Sequence, residues 1–67
     1  MKSNIKGIRK DMGISQLELS KRVGVSRQTI NAIENNKYDP TLELAFDLAK
    51  ELYTTVDELF DSGNEEL

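Results

Sequence analysis

Residues Ser15 to Pro40, SQLELSKRVGVSRQTINAIENNKYDP, contain two helical segments that are separated by three residues around Gly24. Ser15 and Ser26 stand where a hydroxyl oxygen accepts hydrogen bonds from the first backbone amides of a helix. A hydrophobic residue precedes each serine and another lies five positions further on, which is the spacing of a hydrophobic staple. A connection this short prevents the two helices from lying antiparallel, so they must cross at a steep angle. The stretch therefore predicts a helix-turn-helix.

Apolar spacing is helical along most of the chain, and strand-like alternation is not sustained. Two capping boxes, Ser15 with Glu18 and Thr55 with Glu58, predict that each glutamate returns a hydrogen bond to the backbone of its cap. We predict an all-α, compact five-helix domain over residues 1–67, with a core in about residues 4–60 and an acidic tail over 61–67. The helices are expected over about residues 4–12, from the Ser15 cap to near Val23, from the Ser26 cap to near Asn35, over about residues 42–52, and from Thr55 onward.

The chain has 67 residues, no Cys and no His. A domain of this size buries a modest core and is marginally stable without added support. Disulfides are impossible, and without Cys or His a zinc or haem site is improbable. Support is therefore expected from regular helix packing, from a partner subunit, or from both, and no cofactor is expected.

Several classes of protein fit the sequence poorly. No apolar run approaches the roughly 18 residues of a membrane span, or the shorter core of a secretory signal, so we expect a cytoplasmic protein without a membrane partner. Without His, Cys, a carboxylate pair in a discernible cleft or a Gly-rich phosphate loop, no catalytic or metal-binding residues are predicted. No small-molecule ligand is evident, and an enzyme is not expected.

Charge is divided between the two halves of the chain. The net charge is −3, but residues 1–37 hold eight Lys/Arg against three Asp/Glu, whereas residues 38–67 hold one against nine. The first half is therefore +5 and the second −8, which gives the domain a preferred side for a polyanion. The alternative is that two solvated faces simply differ in charge.

The third helix keeps polar side chains on the side opposite its apolar stripe. At 100° per residue, Ile30 and Ile33 point inward. Arginine can bond guanine bidentately, glutamine and asparagine can bond adenine, and a small alanine admits a thymine methyl group. The residues predicted to contact bases in a DNA major groove are Arg27, Gln28, Asn31 and Ala32.

Other polar residues surround this helix. Gln16 lies in the first turn of the second helix, where free backbone amides and the helix dipole favour a phosphate. The residues predicted to contact phosphates are Gln16, Arg22, Ser26, Asn35 and Lys37. The alternative for the whole set is the solvated face of a plain helical bundle, because polar outer faces are common.

The stretch ISQLELSKRVGVSRQTINAIENNKYDPTLELAFDLAKEL, with TTVDELF after it, resembles the phage-repressor/Cro-like (XRE) helix-turn-helix transcriptional regulators over about residues 4–60. The resemblance implies a lambda-repressor-like domain that binds a palindromic double-stranded DNA operator as a homodimer. It assigns the base contacts to the four residues of the third helix named above, and the backbone contacts to Gln16, Asn35 and Lys37. It pairs Arg9 with Glu34 in a structural ion pair. A buried pair of this kind fixes the first helix to the third.

Four residues depart from the pattern of such regulators. Leu17 stands where a polar residue is usual, and it is expected to be exposed or to meet a partner. Ser20 replaces an alanine where the second and third helices cross, and its hydroxyl is expected to bond back to the Gln16 carbonyl. Asn36 replaces a glycine after the third helix and should be tolerated in left-handed backbone. Tyr53 replaces a glycine or asparagine after the fourth helix, where left-handed backbone would strain an aromatic residue, so that helix is expected to end differently.

A single helix-turn-helix makes few base contacts, so tight binding is expected to need a dimer. The predicted dimer residues are Phe46, Tyr53, Val56 and Leu59, with the alternative that most of them form the core. Block of promoter access makes repression the default mode. The rival function is an antitoxin or accessory regulator whose main partner is another protein. The sequence leaves open whether the chain ends add a short strand pair.

Overall fold

Five α-helices and a two-stranded sheet form the fold in a computed structural model that describes residues 2–61. The five helices confirm the predicted fold class, and their ends lie within two residues of the predicted ones. The predicted acidic tail lies outside the described residues from residue 62 onward. The elements are β1 (Lys2–Ser3), α1 (Ile5–Asp11), α2 (Gln16–Val23), α3 (Arg27–Glu34), α4 (Leu42–Glu51), α5 (Val56–Leu59) and β2 (Phe60–Asp61).

The sheet joins the two ends of the described chain. β1 pairs antiparallel with β2, with Ser3 opposite Phe60 and Lys2 opposite Asp61. The backbone amide of Asn4 continues this pairing by donating to the carbonyl oxygen of Leu59, at 2.8 Å. The strand pair that the sequence left open is therefore present, and it seats the start of α1 against α5.

Hydroxyl side chains begin four of the helices. Each cap oxygen accepts a hydrogen bond from the backbone amide three residues later, at 3.0 to 3.2 Å. Such caps contribute about 1 kcal/mol each, because they satisfy an amide that the helix leaves unbonded. The capping residues are Ser15, Ser26, Thr41 and Thr55.

The reciprocal half of the two capping boxes was predicted wrongly. The Glu18 carboxylate accepts from Arg22 Nε at 3.1 Å, and the Glu58 carboxylate accepts from the Thr54 hydroxyl at 2.8 Å. A guanidinium one helical turn away competes successfully with an uncharged backbone amide for Glu18, because charge-assisted hydrogen bonds are the stronger ones.

Helices α1 to α4 all end with the same backbone motif. A residue in left-handed conformation follows the helix, and the next amide donates to the carbonyl five residues earlier, at 2.9 to 3.1 Å. This is the Schellman motif, which satisfies carbonyl groups at the helix end. The left-handed residues are Gly13 (φ 72°), Gly24 (φ 75°), Asn36 (φ 61°) and Tyr53 (φ 55°).

The expectation that the fourth helix ends differently at Tyr53 was wrong. The amide of Thr54 donates to the Ala49 carbonyl at 2.9 Å, and the amide of Tyr53 donates to Lys50 at 3.3 Å. The two hydrogen bonds hold Tyr53 in left-handed backbone despite its Cβ, which costs roughly 1–2 kcal/mol. Its side chain is 86% exposed, so packing within the described chain offsets little of that cost.

The core lies where all five helices meet. Both hydrophobic staples, Ile14 with Leu19 and Val25 with Ile30, pack into it. Ser20 is also buried at the crossing of α2 and α3, but its hydroxyl donates to the Leu17 carbonyl at 2.6 Å rather than to Gln16 as predicted. Within residues 2–61, no helix combines the length and apolarity that crossing a membrane requires. The buried apolar residues are Ile5, Ile14, Leu19, Ile30, Ile33, Ala45, Leu48, Ala49, Leu52, Leu59 and Phe60.

Replacing Tyr53 with glycine should stabilise the fold, since glycine adopts left-handed backbone without a Cβ clash. We expect the free energy of unfolding to rise by about 1 kcal/mol, or the melting temperature by roughly 4–8 °C. Thermal denaturation followed by circular dichroism measures the change. Tyr38→Gly is the control, because Tyr38 is exposed but does not have a positive φ. If Tyr53→Gly lost as much stability as Tyr38→Gly, the conclusion that Tyr53 is strained would be contradicted.

Candidate nucleic-acid interface

Helix α3 presents its polar side to solvent, as its spacing predicts. Ile30 and Ile33 are fully or almost fully buried, whereas Gln28 and Asn31 are exposed. The turn before α3 is closed by Gly24 in left-handed backbone, and the Val25 amide donates to the Ser20 carbonyl at 3.0 Å. These contacts fix the angle at which α3 leaves α2, so that its outer face is free.

The four predicted base-contacting residues lie together on that face. Arg27, Gln28 and Asn31 are exposed, and Ala32 is half-buried. Asn31 is partly engaged, because the Asn35 side-chain amide donates to its Oδ1 at 3.1 Å and to its carbonyl oxygen at 2.9 Å. Within residues 2–61, the side-chain amide nitrogen of Asn31 donates no hydrogen bond.

The predicted phosphate-contacting residues lie around α3. Ser26 uses its hydroxyl to cap α3 and to bond Thr29, and Arg22 is paired with Glu18 through Nε at 3.1 Å. Lys37 is exposed immediately after the C-terminal turn of α3. Cationic groups therefore lie on the α2 side and at the C-terminal end of α3.

Arg9 and Glu34, which the resemblance pairs, form a two-point ion pair between α1 and α3. Arg9 Nε donates to Glu34 Oε2 at 2.7 Å, and Nη2 donates to Oε1 at 3.2 Å. The two side chains are only 9% and 2% exposed. Arg9 Nη1 also donates to the Ile14 carbonyl at 2.9 Å, so the same guanidinium holds the turn between α1 and α2.

Glu34 also positions Gln16, which the sequence did not reveal. Gln16 Nε2 donates to Glu34 Oε1 at 3.0 Å, which turns the amide oxygen of Gln16 outward. Arg27 Nη1 lies 3.5 Å from that oxygen and donates to it. The first residue of α2 and the first residue of α3 are thereby linked through one oriented amide. The second amide hydrogen of Gln16 makes no hydrogen bond within residues 2–61.

The charge division found in the sequence is also a division in space. Of the lysines and arginines within residues 2–37, all except Arg9 are exposed, and they belong to the part of the fold built from β1 and α1 to α3. Of the acidic residues within residues 38–61, five lie on α4 and α5, whereas Asp39 precedes α4 and Asp61 lies in β2. Across residues 2–61, no cluster of carboxylates has the arrangement of a metal site.

The predicted dimer residues have different environments. Leu59 is fully buried in the core, so its assignment to a dimer interface was wrong: its position in α5 directs it inward against α1 and α4. Val56 is half-buried and packs against the same core. Phe46 and Tyr53 are 58% and 86% exposed.

Leu42 extends the exposed apolar surface. It is 69% exposed and lies four residues before Phe46, so both side chains occupy one side of α4. Tyr53 lies seven residues after Phe46, in the left-handed turn that follows the helix. We call Leu42, Phe46 and Tyr53 the α4 stripe. Its helical spacing was visible in the sequence, but the pattern there was too broadly apolar to separate it from the core.

A helix-turn-helix family model matches residues 5–59. The chain belongs to this helix-turn-helix family. An uncharacterized HTH-type transcriptional regulator from Methanocaldococcus jannaschii is 47% identical over 60 residues, which cover 90% of this chain and 91% of that protein. These findings confirm the family that the resemblance named.

Solved structures agree with the family. The DNA-binding domain of the P22 c2 repressor has a TM-score of 0.79 and 34% identity, over 92% of this chain and 80% of that one. SinR, a master regulator for biofilm formation solved in complex with DNA, has a TM-score of 0.77 and 31% identity, over 85% of this chain and 92% of that one. The chain spans 62% of the chain matched in the SinR–SinI complex. These relatives are regulators, which confirms the expectation that the protein is not an enzyme.

Truncating Glu34 should be costly, because it would leave the Arg9 guanidinium buried without its counter-charge. We expect Glu34→Ala to lower the free energy of unfolding by about 3–5 kcal/mol, and the double replacement Arg9→Met with Glu34→Leu to cost less. Urea denaturation measures both. Glu18→Ala breaks the exposed pair with Arg22 and should cost under about 1 kcal/mol. Equal losses for Glu18→Ala and Glu34→Ala would contradict the special role of the buried pair.

Proposed function

We propose that the protein is a cytoplasmic, sequence-specific transcriptional repressor that binds a palindromic double-stranded DNA operator as a homodimer. The observation that carries this proposal is the exposed polar face of α3, which the buried Arg9–Glu34 pair holds in a fixed orientation. With α3 in the major groove, blocking of promoter access follows from occupancy of the operator.

Base reading is assigned to the outer face of α3. Gln28 and Asn31 carry amide groups, which suit adenine. Arg27 carries a guanidinium group, whose paired N–H donors suit guanine. The half-buried Ala32 keeps the helix close to the floor of the groove. The hydrogen bond from Asn35 to Asn31 Oδ1 at 3.1 Å favours an outward-facing amide nitrogen, and therefore an acceptor on the base.

Backbone contacts are assigned to the residues that surround that face. The amide hydrogen of Gln16 that Glu34 leaves free can bond a phosphate at the N-terminus of α2, where the helix dipole favours an anion. Ser26 is the N-cap of α3, and Arg22 lies in the last turn of α2 just before it. Asn35 and Lys37 lie at the C-terminal end of α3. Contacts on both sides of α3 would fix its register in the groove.

The dimer interface is assigned to the α4 stripe, with Val56 at its margin. Two large apolar side chains exposed on one side of α4, with a third at the turn that follows it, favour a protein contact, since isolated exposed apolar residues need no partner whereas a larger apolar patch marks an interaction site. Two copies joined in this way would place their α3 helices in successive major grooves if the helices lie about 34 Å apart.

The second candidate function is that of an antitoxin or accessory regulator whose main partner is another protein. The α4 stripe is the observation that favours it, because the same surface could receive a different chain. The structural relative SinR, which was also solved in a complex with SinI, provides a precedent for a protein partner. In this case the acidic residues of α4 and α5 would favour a basic partner.

Removal of the two base-reading amides should abolish the sequence preference of the protein. We expect Gln28→Ala with Asn31→Ala to bind a selected duplex and a scrambled duplex equally, because a bidentate contact from Gln28 gives about 1–3 kcal/mol of discrimination and the amide donor of Asn31 adds to it. Titration by fluorescence anisotropy measures both affinities.

Lys37→Ala is the matched control for this double variant. It should weaken binding to both duplexes alike, since a phosphate contact is lost. The slope of the logarithm of the binding constant against the logarithm of the salt concentration should become shallower by about 1. A double variant that keeps the preference of the unaltered chain would contradict the assignment of α3.

A charge placed in the α4 stripe should separate the homodimer. We expect Phe46→Glu and Tyr53→Glu to sediment as monomers, because burying a carboxylate in an apolar contact is unfavourable. Leu17→Glu is the control, since Leu17 is 50% exposed but belongs to α2 and is not part of the stripe. Dimers that persist in both stripe variants, or an unaltered chain that is monomeric, would contradict the proposed interface.

A further inference from the structure

The side chain of Asn36 connects the end of α3 to the terminal sheet. Asn36 Oδ1 accepts a hydrogen bond from the backbone amide of Ser3 at 2.8 Å, across 33 positions of the chain. The amide of Asn4 points the other way, toward the Leu59 carbonyl at 2.8 Å, because successive amides of a strand alternate in direction. The Ser3 amide therefore points away from β2, and it donates to Asn36 instead.

The left-handed backbone at position 36 does not by itself explain why this residue is an asparagine. At φ 61° a glycine would terminate α3 with less strain, since it has no Cβ. Asparagine tolerates this backbone and adds an acceptor that glycine lacks. The hydrogen bond to Ser3 is thus a property that distinguishes Asn36 from the glycine otherwise favoured there.

The segment that Asn36 holds contains two of the proposed backbone contacts. Asn35 precedes it and bonds back to Asn31, and Lys37 follows it with its amide bonded to the Ala32 carbonyl at 2.9 Å. On the other side, β1 is tied to α5 through the Asn4 side-chain amide, which donates to the Glu58 carbonyl at 3.0 Å. One line of hydrogen bonds therefore runs from α5 through β1 to the C-terminal end of α3.

We propose that Asn36 is a positioning residue for DNA binding: by accepting from the Ser3 amide, it holds Lys37 where that side chain meets the sugar-phosphate backbone. The proposal rests on the proposed function of α3. It makes the order of the N-terminal strand a condition for full affinity, although that strand itself reads no base.

Asn36→Gly tests the proposal, because it keeps the left-handed turn and removes the acceptor. The probe is the duplex that the unaltered chain selects from a random-sequence pool. We expect Asn36→Gly to bind this duplex about two- to tenfold more weakly, the range of one hydrogen bond, with its preference among bases unchanged. The titrations are made at a temperature at which thermal denaturation shows every variant folded, so that a role in stability alone would leave the affinity unaltered.

A double-mutant cycle with Lys37→Ala identifies what Asn36 positions. If Asn36 acts through Lys37, Asn36→Gly should have little further effect once Lys37 is truncated. An undiminished effect in the Lys37→Ala background, or an unaltered affinity of Asn36→Gly itself, would overturn the proposal.

Changes at Ser3 test the hydrogen bond from its other end. Ser3→Pro removes the donor at a sheet edge, where proline is tolerated, and should weaken binding as Asn36→Gly does without adding to it. Ser3→Ala is the control, because it removes only the hydroxyl that accepts from the Ile5 amide at 3.1 Å. Equal affinity losses in Ser3→Pro and Ser3→Ala would overturn the assignment. If the unaltered chain selects no duplex at all, the proposed function fails, whereas a selected duplex that Asn36→Gly binds normally overturns this inference alone.

Discussion

The buried ion pair between Arg9 and Glu34 is the contact on which the arrangement of the other helices depends. Apolar contacts alone would allow α3 to slide or rotate against α1, because the attraction between apolar surfaces has no direction. A guanidinium and a carboxylate that meet through two hydrogen bonds, at 2.7 and 3.2 Å, allow a single register. Since the same pair also holds the Ile14 carbonyl and the Gln16 amide, it fixes the start of α2 as well.

The polar face of α3 follows from this register and from the small size of the domain. Ile30 and Ile33 suffice to attach α3 to the core, so the opposite side of the helix needs no partner within residues 2–61. Attachment at the Glu34 end and at the Gly24 turn leaves that side exposed along its length. This face belongs to the basic first half of the chain, whereas most acidic residues within residues 38–61 lie on α4 and α5, and this distribution favours one orientation of an approaching polyanion.

Features that depend on neighbouring residues were predictable from the sequence, and features that depend on tertiary contacts were less so. The caps at Ser15 and Ser26 and the left-handed Gly24 rely on hydrogen bonds within a few residues, so their spacing located both helices of the helix-turn-helix. The burial of Leu59 and the bond from Gln16 to Glu34 depend on how distant segments pack, which apolar spacing does not encode. The ion pair itself was anticipated only through the family resemblance, since nothing local links Arg9 to a residue 25 positions away.

Asn36 and Tyr53 follow two helices that end in the same motif, but their side chains have different environments. Both occupy left-handed backbone in a Schellman motif, and both carry a Cβ that disfavours it. At Asn36 the cost is offset inside the domain, because the side chain accepts from Ser3. At Tyr53 the side chain is 86% exposed, so an offsetting contact of comparable size would have to come from outside residues 2–61. Backbone strain that is not offset within a domain is characteristic of functional surfaces, and it supports the placement of a partner at the C-terminal end of the α4 stripe.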